Sequence, residues 1–381
     1  MDVSQPLALL GGLSPQQFMR RYWQKKPLLI RQAIPNFRSP IDRASLFDLA
    51  GGEAVESRLV AHSGAPQPGG WTFKRGPFTR RALPAVRQPG WTLLVQGVDL
   101  HDDAAHALLQ QFRFVPDARL DDLMISFATD GGGVGPHFDS YDVFLLQAEG
   151  QRRWRIGRQK DLSLQDGAPL KILANFEPEQ EWVLDPGDML YLPPRYAHDG
   201  VAVGECITCS IGFRAPSRGE LARELLQRLA EGADEGTHAH ALYRDATQPA
   251  VDAPGAIPAA LQAEAASAVQ AALNDPQALA RALGEHLTEP KPGVWFEAGR
   301  ALDAEAAFRT GIRLDRRTRM QHDARHVFIN GESYRAAGRD ATLMRRLADQ
   351  RQLDATALAQ CSGEAHELIS SWCEAGWVHA V

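Results

Sequence analysis

The chain runs to 381 residues, too long for one core of ordinary size and fit for two or three domains. Hydrophobic residues at 44% and charged residues at 23% match soluble globular proteins, and a net charge of −6 argues against bulk nucleic-acid binding. Four cysteines make no disulfide scaffold, no apolar run nears a membrane span, and the N-terminus lacks a signal peptide's basic start and cleavage site, so a reducing cytoplasmic setting is expected.

Ser14, Pro15 and Gln17 predict a capped helix over FMRRYWQKK that stops at Pro27, with LLIRQ following as a strand. From about residue 40 to 215 the texture changes to short strands punctuated by Gly, Pro and Asp. Trp71 to Phe73, Trp91 to Val95, Leu123 to Ala128, Asp142 to Gln147, Arg153 to Ile156, Met189 to Leu192 and Cys206 to Phe213 are strand-like. This pattern predicts an all-β antiparallel jelly roll of the cupin type, a double-stranded β-helix.

Beyond Pro216, Ser217 and Glu220 predict a second capped helix with Leu221, Leu225, Leu226 and Leu229 on one face. A loop over about 232–254 leads to Ala-rich helices near 257–273 and 276–287, the second capped by Asp275 with Pro276 behind it. Such a block reads either as a self-association surface or as packing against the barrel. Thr288 to Gly293 is a linker, followed by a short helix near 303–310 and a strand from Ile312 to Met320. His326 to Ile329 and Ser333 to Ala336 predict a hairpin about Asn330-Gly331, and helices follow near 341–351 and 363–375, the latter stopped by Gly376. Helix, hairpin and two helices suggest a winged helix. The expected domains are 1–215, 216–288 and 293–381.

The chemistry gathers at GGGVGPHFDSYDVF and DPGDMLYLPPRYAHDG. His137 and Asp139 stand two apart and would share one face of an extended strand, while His198 follows a Pro-Pro stop. Two histidines and one carboxylate form the facial triad of non-haem Fe(II) oxygenases, which leaves positions open for a co-substrate and O2. Zinc, and manganese in a plain cupin, are the rival ions. Such iron sites commonly chelate 2-oxoglutarate, whose distal carboxylate needs a cation. Arg152, expected just past a turn at Glu149-Gly150, is preferred over its neighbours Arg153 and Arg155. Ser126, and Ser210 or Thr208, could add a hydroxyl to that carboxylate. Asp130, before the triple glycine, is expected at the cavity mouth beside the iron, where it could hold a cationic side chain or merely form a turn. Tyr141 is placed at the same mouth.

Cys206 and Cys209 lie three apart, on opposite faces of any strand, so core packing is expected rather than metal binding. Arg309, Arg313, Arg316, Arg317 and Arg319 could meet nucleic acid, but a solvated strand face is the simpler expectation.

These residues resemble the bacterial JmjC-domain ribosomal oxygenases. The resemblance rests on FMRRYWQKKPLLIR, DDLMISFATDGGGVGPHFDSYDVFLLQAEGQRRWRIG, DPGDMLYLPPRYAHDG and SIGFRAP, is dense over 1–216, and continues as a shared layout beyond. It implies a JmjC-type jelly roll, a helical dimerisation block that makes the protein a homodimer, and a C-terminal winged helix. It implies Fe(II) on His137, Asp139 and His198, and 2-oxoglutarate on Arg152 with Ser126 as helper. Asp130 would contact a target arginine, hydroxylated at its β-carbon within a large-subunit ribosomal protein. A JmjC oxygenase or demethylase acting on another protein or a small molecule would share the site. A cupin transcription regulator with its winged helix on DNA is the alternative from another class.

Overall fold

The computed structural model describes residues 2–63, 70–232, 242–299, 307–335 and 337–381. The chain divides into two compact units, with the boundary between Ala215 and Pro216.

In the first unit α1, Pro15–Arg21, is closed by the expected capping box: the Ser14 hydroxyl accepts from the Gln17 amide and the Gln17 side chain accepts from the Ser14 amide. Its Phe18 is fully buried and packs edge-on against Tyr191, with ring centroids 4.9 Å apart, and against Phe144 at 5.4 Å. Two helices not expected from the sequence follow, α2, Arg43–Leu49, and α3, Asp103–Gln110. Asp42 and Asp102 cap them by accepting from the Ser45 and Ala105 amides.

The strands are β1, Leu28–Ile30; β2, Ser57–His62; β3, Trp71–Arg75; β4, Trp91–Val95; β5, Leu120–Ala128; β6, Val143–Gly157; β7, Gln180–Leu184; β8, Met189–Leu192; and β9, Ala197–Phe213. Among the described residues they join antiparallel in the order β1-β8-β6-β9-β5-β4-β2-β3, with β7 on the far half of β6. This is the antiparallel jelly roll. β5, the first half of β6 and the last half of β9 are buried on both faces. One face carries Ile125, Phe127, Leu146, Ile207, Cys209 and Ile211 into the main core, and the other carries Ser126, Gln147 and Thr208.

β6 corrects one expectation. Two strands about a tight turn at Glu149-Gly150 were predicted, whereas Val143–Gly157 is one strand of 15 residues. Gly150, at φ 60, is a bulge where the register against β9 shifts, and the backbone bends there without reversing. A Cβ at Gly150 would stand 2.0 Å from the Glu205 carbonyl oxygen, so only glycine fits. Arg152 therefore continues along β6, and the strand that returns beside it is β9.

The second unit opens with α4, Arg218–Glu231, α5, Ala259–Leu273, and α6, Pro276–Thr288, capped by Ser217 and Asp275 as expected. The apolar face predicted for α4 is not buried, and Leu226 is 51% exposed. Residues 233–241 of the predicted loop lie outside the described residues, as do 303–306 of the predicted helix, of which 307–310 is helical. The strand predicted from Ile312 to Met320 is interrupted. β10, Gly311–Leu314, and β11, Met320–His322, belong to separate sheets, because the Asp315 carboxylate accepts from the Arg317 amide and turns the chain. β12, His326–Ile329, and β13, Glu332–Arg335, form the predicted hairpin, with Asn330 and Gly331 both at positive φ. Ala336 lies outside the described residues. Helices Gly338–Gln350 and Gly363–Glu374 cover the core around Trp372, with β14, Gln352–Asp354, and β15, Val378–Ala380, flanking β10. Within the arginine run Arg313 is exposed and Arg317 is paired with Asp315 at 2.8 Å.

Phe18 ties α1 to β6 and β8. Phe18→Ala should cost about 3–5 kcal/mol of stability, read as a lower urea midpoint at unchanged slope. A loss under about 1 kcal/mol would remove this aromatic cluster from the account of the fold.

Candidate metal centre

The triple glycine is required by closeness. A Cβ at Gly132 would meet the Trp91 carbonyl oxygen at 2.4 Å, and one at Gly133 the Gly200 carbonyl oxygen at 2.6 Å. The segment can thus run backbone to backbone against β9. It ends where the His137 amide donates to the His198 carbonyl at 2.9 Å and the His198 amide donates back to His137 at 2.8 Å. That reciprocal pair brings the two imidazoles to a centroid distance of 4.2 Å. Asp139 follows two residues later, and its carbonyl accepts from the Arg195 amide at 2.7 Å. Arg195 holds a left-handed φ of 64 immediately after Pro193-Pro194, strain of the kind found where a loop must deliver one side chain.

Each histidine sets its Nδ1 against the carbonyl two residues before it, His137 on Gly135 at 2.8 Å and His198 on Tyr196 at 3.0 Å. Nδ1–H donates there, so Nε2 is left with its lone pair facing the cluster. Asp139 Oδ2 lies 3.6 Å from His198 Nε2, and the ligand atoms of the three residues lie within 4.8 Å of one another. His198 is pushed down to about 4, by burial first and then by His137 beside it, against the opposing pull of Asp139. Its imidazole is therefore neutral at pH 7 and able to donate to a cation. Among the described residues this is the one group of three such side chains that converges. Two imidazoles and a carboxylate suit a divalent transition ion with vacant positions.

Tyr141 lies beside Asp139, and its phenol is pushed up by desolvation of the hydroxyl and then by the Asp139 charge. Arg152 is 4% exposed. Its Nη2 lies 3.5 Å from Cys206 Sγ, and its Nε has no partner among the described residues. Arg153 and Arg155 point the other way, to Glu181 at 3.5 Å and Asp199 at 2.5 Å. A guanidinium buried without an anion costs several kcal/mol, and a carboxylate from a ligand would offset that cost. Ser126 and Ser210 are buried on the same face. Ser126 stands opposite Thr208, whose hydroxyl donates to Gln147 at 3.0 Å, and Ser210 lies two residues further along β9.

Asp130 is not brought into the cluster. It is exposed, six residues along β9 from His198, and its Oδ1 accepts from the Gly204 amide at 2.8 Å. The turn-forming alternative describes this contact. Cys206 and Cys209 are both buried and free, on opposite faces as expected. Cys206 beside Arg152 is announced by no local signal in the sequence, and Trp154 by one. Period-two counting from Arg152 would have put Trp154 on the inner face.

A family model described as JmjC domain matches residues 107–221, and one described as ROXA-like winged helix matches 271–379. The chain is 42% identical over 207 residues to the ribosomal protein uL16 3-hydroxylase of Escherichia coli, covering 54% of this chain and 53% of that protein. It is 37% identical over 228 residues to a probable ribosomal oxygenase of Haemophilus influenzae, covering 59% and 53%. These matches span about half the length of the curated relatives. Solved structures are similar over nearly the whole chain. E. coli YcfD superposes with TM-score 0.82 at 29% identity, over 95% of this chain and 97% of that one. The structure of YcfD, a ribosomal oxygenase, with cobalt and 2-oxoglutarate superposes with TM-score 0.77 at 30% identity, over 96% and 98%.

Purified protein titrated anaerobically with Co(II) should bind one equivalent. Asp139→Ala and His137→Ala should each weaken binding more than about 100-fold, since even partners of metal ligands are worth 10–100-fold. Unchanged binding in both variants would remove the cluster as a metal centre.

Proposed function

The chain belongs to the JmjC-domain ribosomal oxygenases, and from that premise we propose that it is an Fe(II)- and 2-oxoglutarate-dependent protein hydroxylase acting on an arginine β-carbon of a large-subunit ribosomal protein. The similarity to the uL16 3-hydroxylase supports the substrate class, and the YcfD complex with cobalt and 2-oxoglutarate supports the cofactors. The observation that carries the reading is the buried Arg152, lacking an anion among the described residues, on the inner face of the strand that pairs with His198.

His137, Asp139 and His198 would hold the ion on one side, leaving its other side to co-substrate and O2. The bound ion supplies the oxygen chemistry that couples decarboxylation of 2-oxoglutarate to succinate with hydroxylation of an unactivated carbon. Arg152 anchors the distal carboxylate, with the Ser126 and Ser210 hydroxyls on its face, and so fixes which end of the co-substrate meets the metal. Tyr141, next to Asp139, would face the substrate side, and Asp130, with Oδ1 taken by the Gly204 amide, would keep Oδ2 for a substrate guanidinium.

Residues 1–215 form the catalytic domain in this reading, 216–288 a dimerisation domain and 293–381 the winged-helix domain. The described side chains of α5 are exposed throughout, Val269 at 61%, and Leu279 and Leu283 of α6 are exposed beside them in sequence. So much uncovered apolar helix supports a homodimer. No described helix is long and apolar enough to cross a membrane, and a cytoplasmic enzyme meeting ribosomal protein fits the reading.

Incubation with Fe(II), 2-oxoglutarate, O2 and a peptide of the ribosomal protein should add one oxygen atom, located on arginine by fragmentation mass spectrometry. Arg152→Met should raise the half-saturating 2-oxoglutarate concentration more than about tenfold, and Arg153→Met should leave it unchanged. Iron-loaded protein that consumes no 2-oxoglutarate would sink the reading. Separately, sedimentation should report a dimer that Val269→Glu converts to monomer, and a monomeric parent protein would refute the dimer.

A further inference from the structure

The inner face of β6 carries a second unpaired donor besides Arg152. Trp154 is 5% exposed, and its indole Nε1 has no partner among the described residues. Register explains its place. His198, Gly200 and Ala202 of β9 stand opposite Ile156, Trp154 and Arg152 of β6. Trp154 is thus midway between the candidate metal centre and the buried guanidinium. Its ring centroid lies 5.9 Å from the His198 ring and 5.8 Å from Arg152 Cζ. Gly200 opposite it cannot be larger, because a Cβ there would sit 2.6 Å from the indole ring. The ring therefore packs against the Gly200 backbone.

Resting on the function proposed above, we propose that Trp154 is a co-substrate contact: its ring walls the path from the metal to Arg152, and its N–H donates to the distal carboxylate that Arg152 binds. A carboxylate has two oxygens and about four lone-pair sites, more than one guanidinium uses. Two buried donors at successive inward positions of one strand, each costly to leave unpaired, match an acceptor with two oxygens. The metal-binding end of the same molecule then lies toward His198, so a dicarboxylate reaching from one to the other passes along the indole. The expected selectivity follows: a 2-oxo acid without the distal carboxylate makes neither contact.

The test measures binding without turnover. Protein loaded with redox-inert Zn(II) is titrated with 2-oxoglutarate and, separately, with 2-oxobutyrate, by calorimetry and by NMR of 15N-labelled indole groups. Trp154→Phe keeps an aromatic wall and removes the donor. It should weaken 2-oxoglutarate binding about tenfold or more, as for a hydrogen bond to a charged group, and leave 2-oxobutyrate binding within about twofold. In the parent protein one indole N–H resonance, absent from Trp154→Phe, should shift with 2-oxoglutarate and not with 2-oxobutyrate. Equal loss for both ligands would mean that the ring only packs, and equal affinity of parent and variant would overturn the contact outright. Should the variant fail to fold, an indole spectrum of the parent unmoved by saturating 2-oxoglutarate overturns it as well. A parent protein that binds no 2-oxoglutarate would instead refute the proposed function.

Discussion

Two backbone hydrogen bonds, exchanged between His137 and His198, are the constraint on which the rest of the site depends. Side chains of metal ligands can rotate, but a reciprocal amide pair fixes the separation and direction of both Cα–Cβ bonds at once. The pair joins residues 61 positions apart, so it exists only if everything between them folds. Its cost is borne upstream and downstream. Gly132 and Gly133 give up side chains to let one strand approach, and Arg195 accepts a left-handed backbone to turn the other. The Nδ1 contacts to Gly135 and Tyr196 then remove the remaining freedom of each ring. What remains is a cluster whose geometry is set before any ion arrives.

The second half of β6 applies the same economy to charge. It alternates Arg152, Arg153, Trp154 and Arg155, and the alternation of a strand sorts them without further instruction. The outward guanidiniums find carboxylates: Arg153 meets the exposed Glu181, a pair worth little, and Arg155 meets the buried Asp199 at 2.5 Å. The inward one finds a thiol and an aromatic face, neither of which neutralises it. A buried charge left without an anion is costly, and a ligand carboxylate would offset that cost. The bulge at Gly150 matters here because it lets β6 bend while still paired with β9, carrying the sorted face from the hydrophobic core to the metal side.

Much of this was legible in the sequence because it depends on local chemistry. Capping boxes at Ser14 and Ser217, the Asn330-Gly331 turn and the period-two pairing of His137 with Asp139 need only nearest neighbours to be read. What failed to be read depends on partners distant in the chain. Gly150 looks like a turn until β9 is known to run beside it, and then it is a bulge. Asp130 looks like a neighbour of the metal until Gly204 is found to claim its carboxylate. Asp315 breaks an apparently continuous strand because its own side chain bonds two residues on, a signal that an Asp within a strand pattern does offer. The helices α2 and α3 were also announced by Asp42 and Asp102, caps hidden within a stretch whose texture is otherwise that of strands.

Both units enclose polar atoms without partners among the described residues, but in the first two of them, Arg152 Nε and Trp154 Nε1, sit at successive inward positions of one strand beside the metal-ligand cluster. In the second, the larger deficit is apolar. α4 buries no residue, and α5 turns Leu261, Val269 and Leu273 to solvent although it carries few polar side chains to justify a free helix. An enclosed polar deficit selects a ligand by hydrogen-bond geometry, whereas an open apolar deficit selects a protein surface by area. In the proposed reading the enclosed donors meet a ligand and the open apolar helix meets a second protein surface, two demands that the sequence would make by two different physical means.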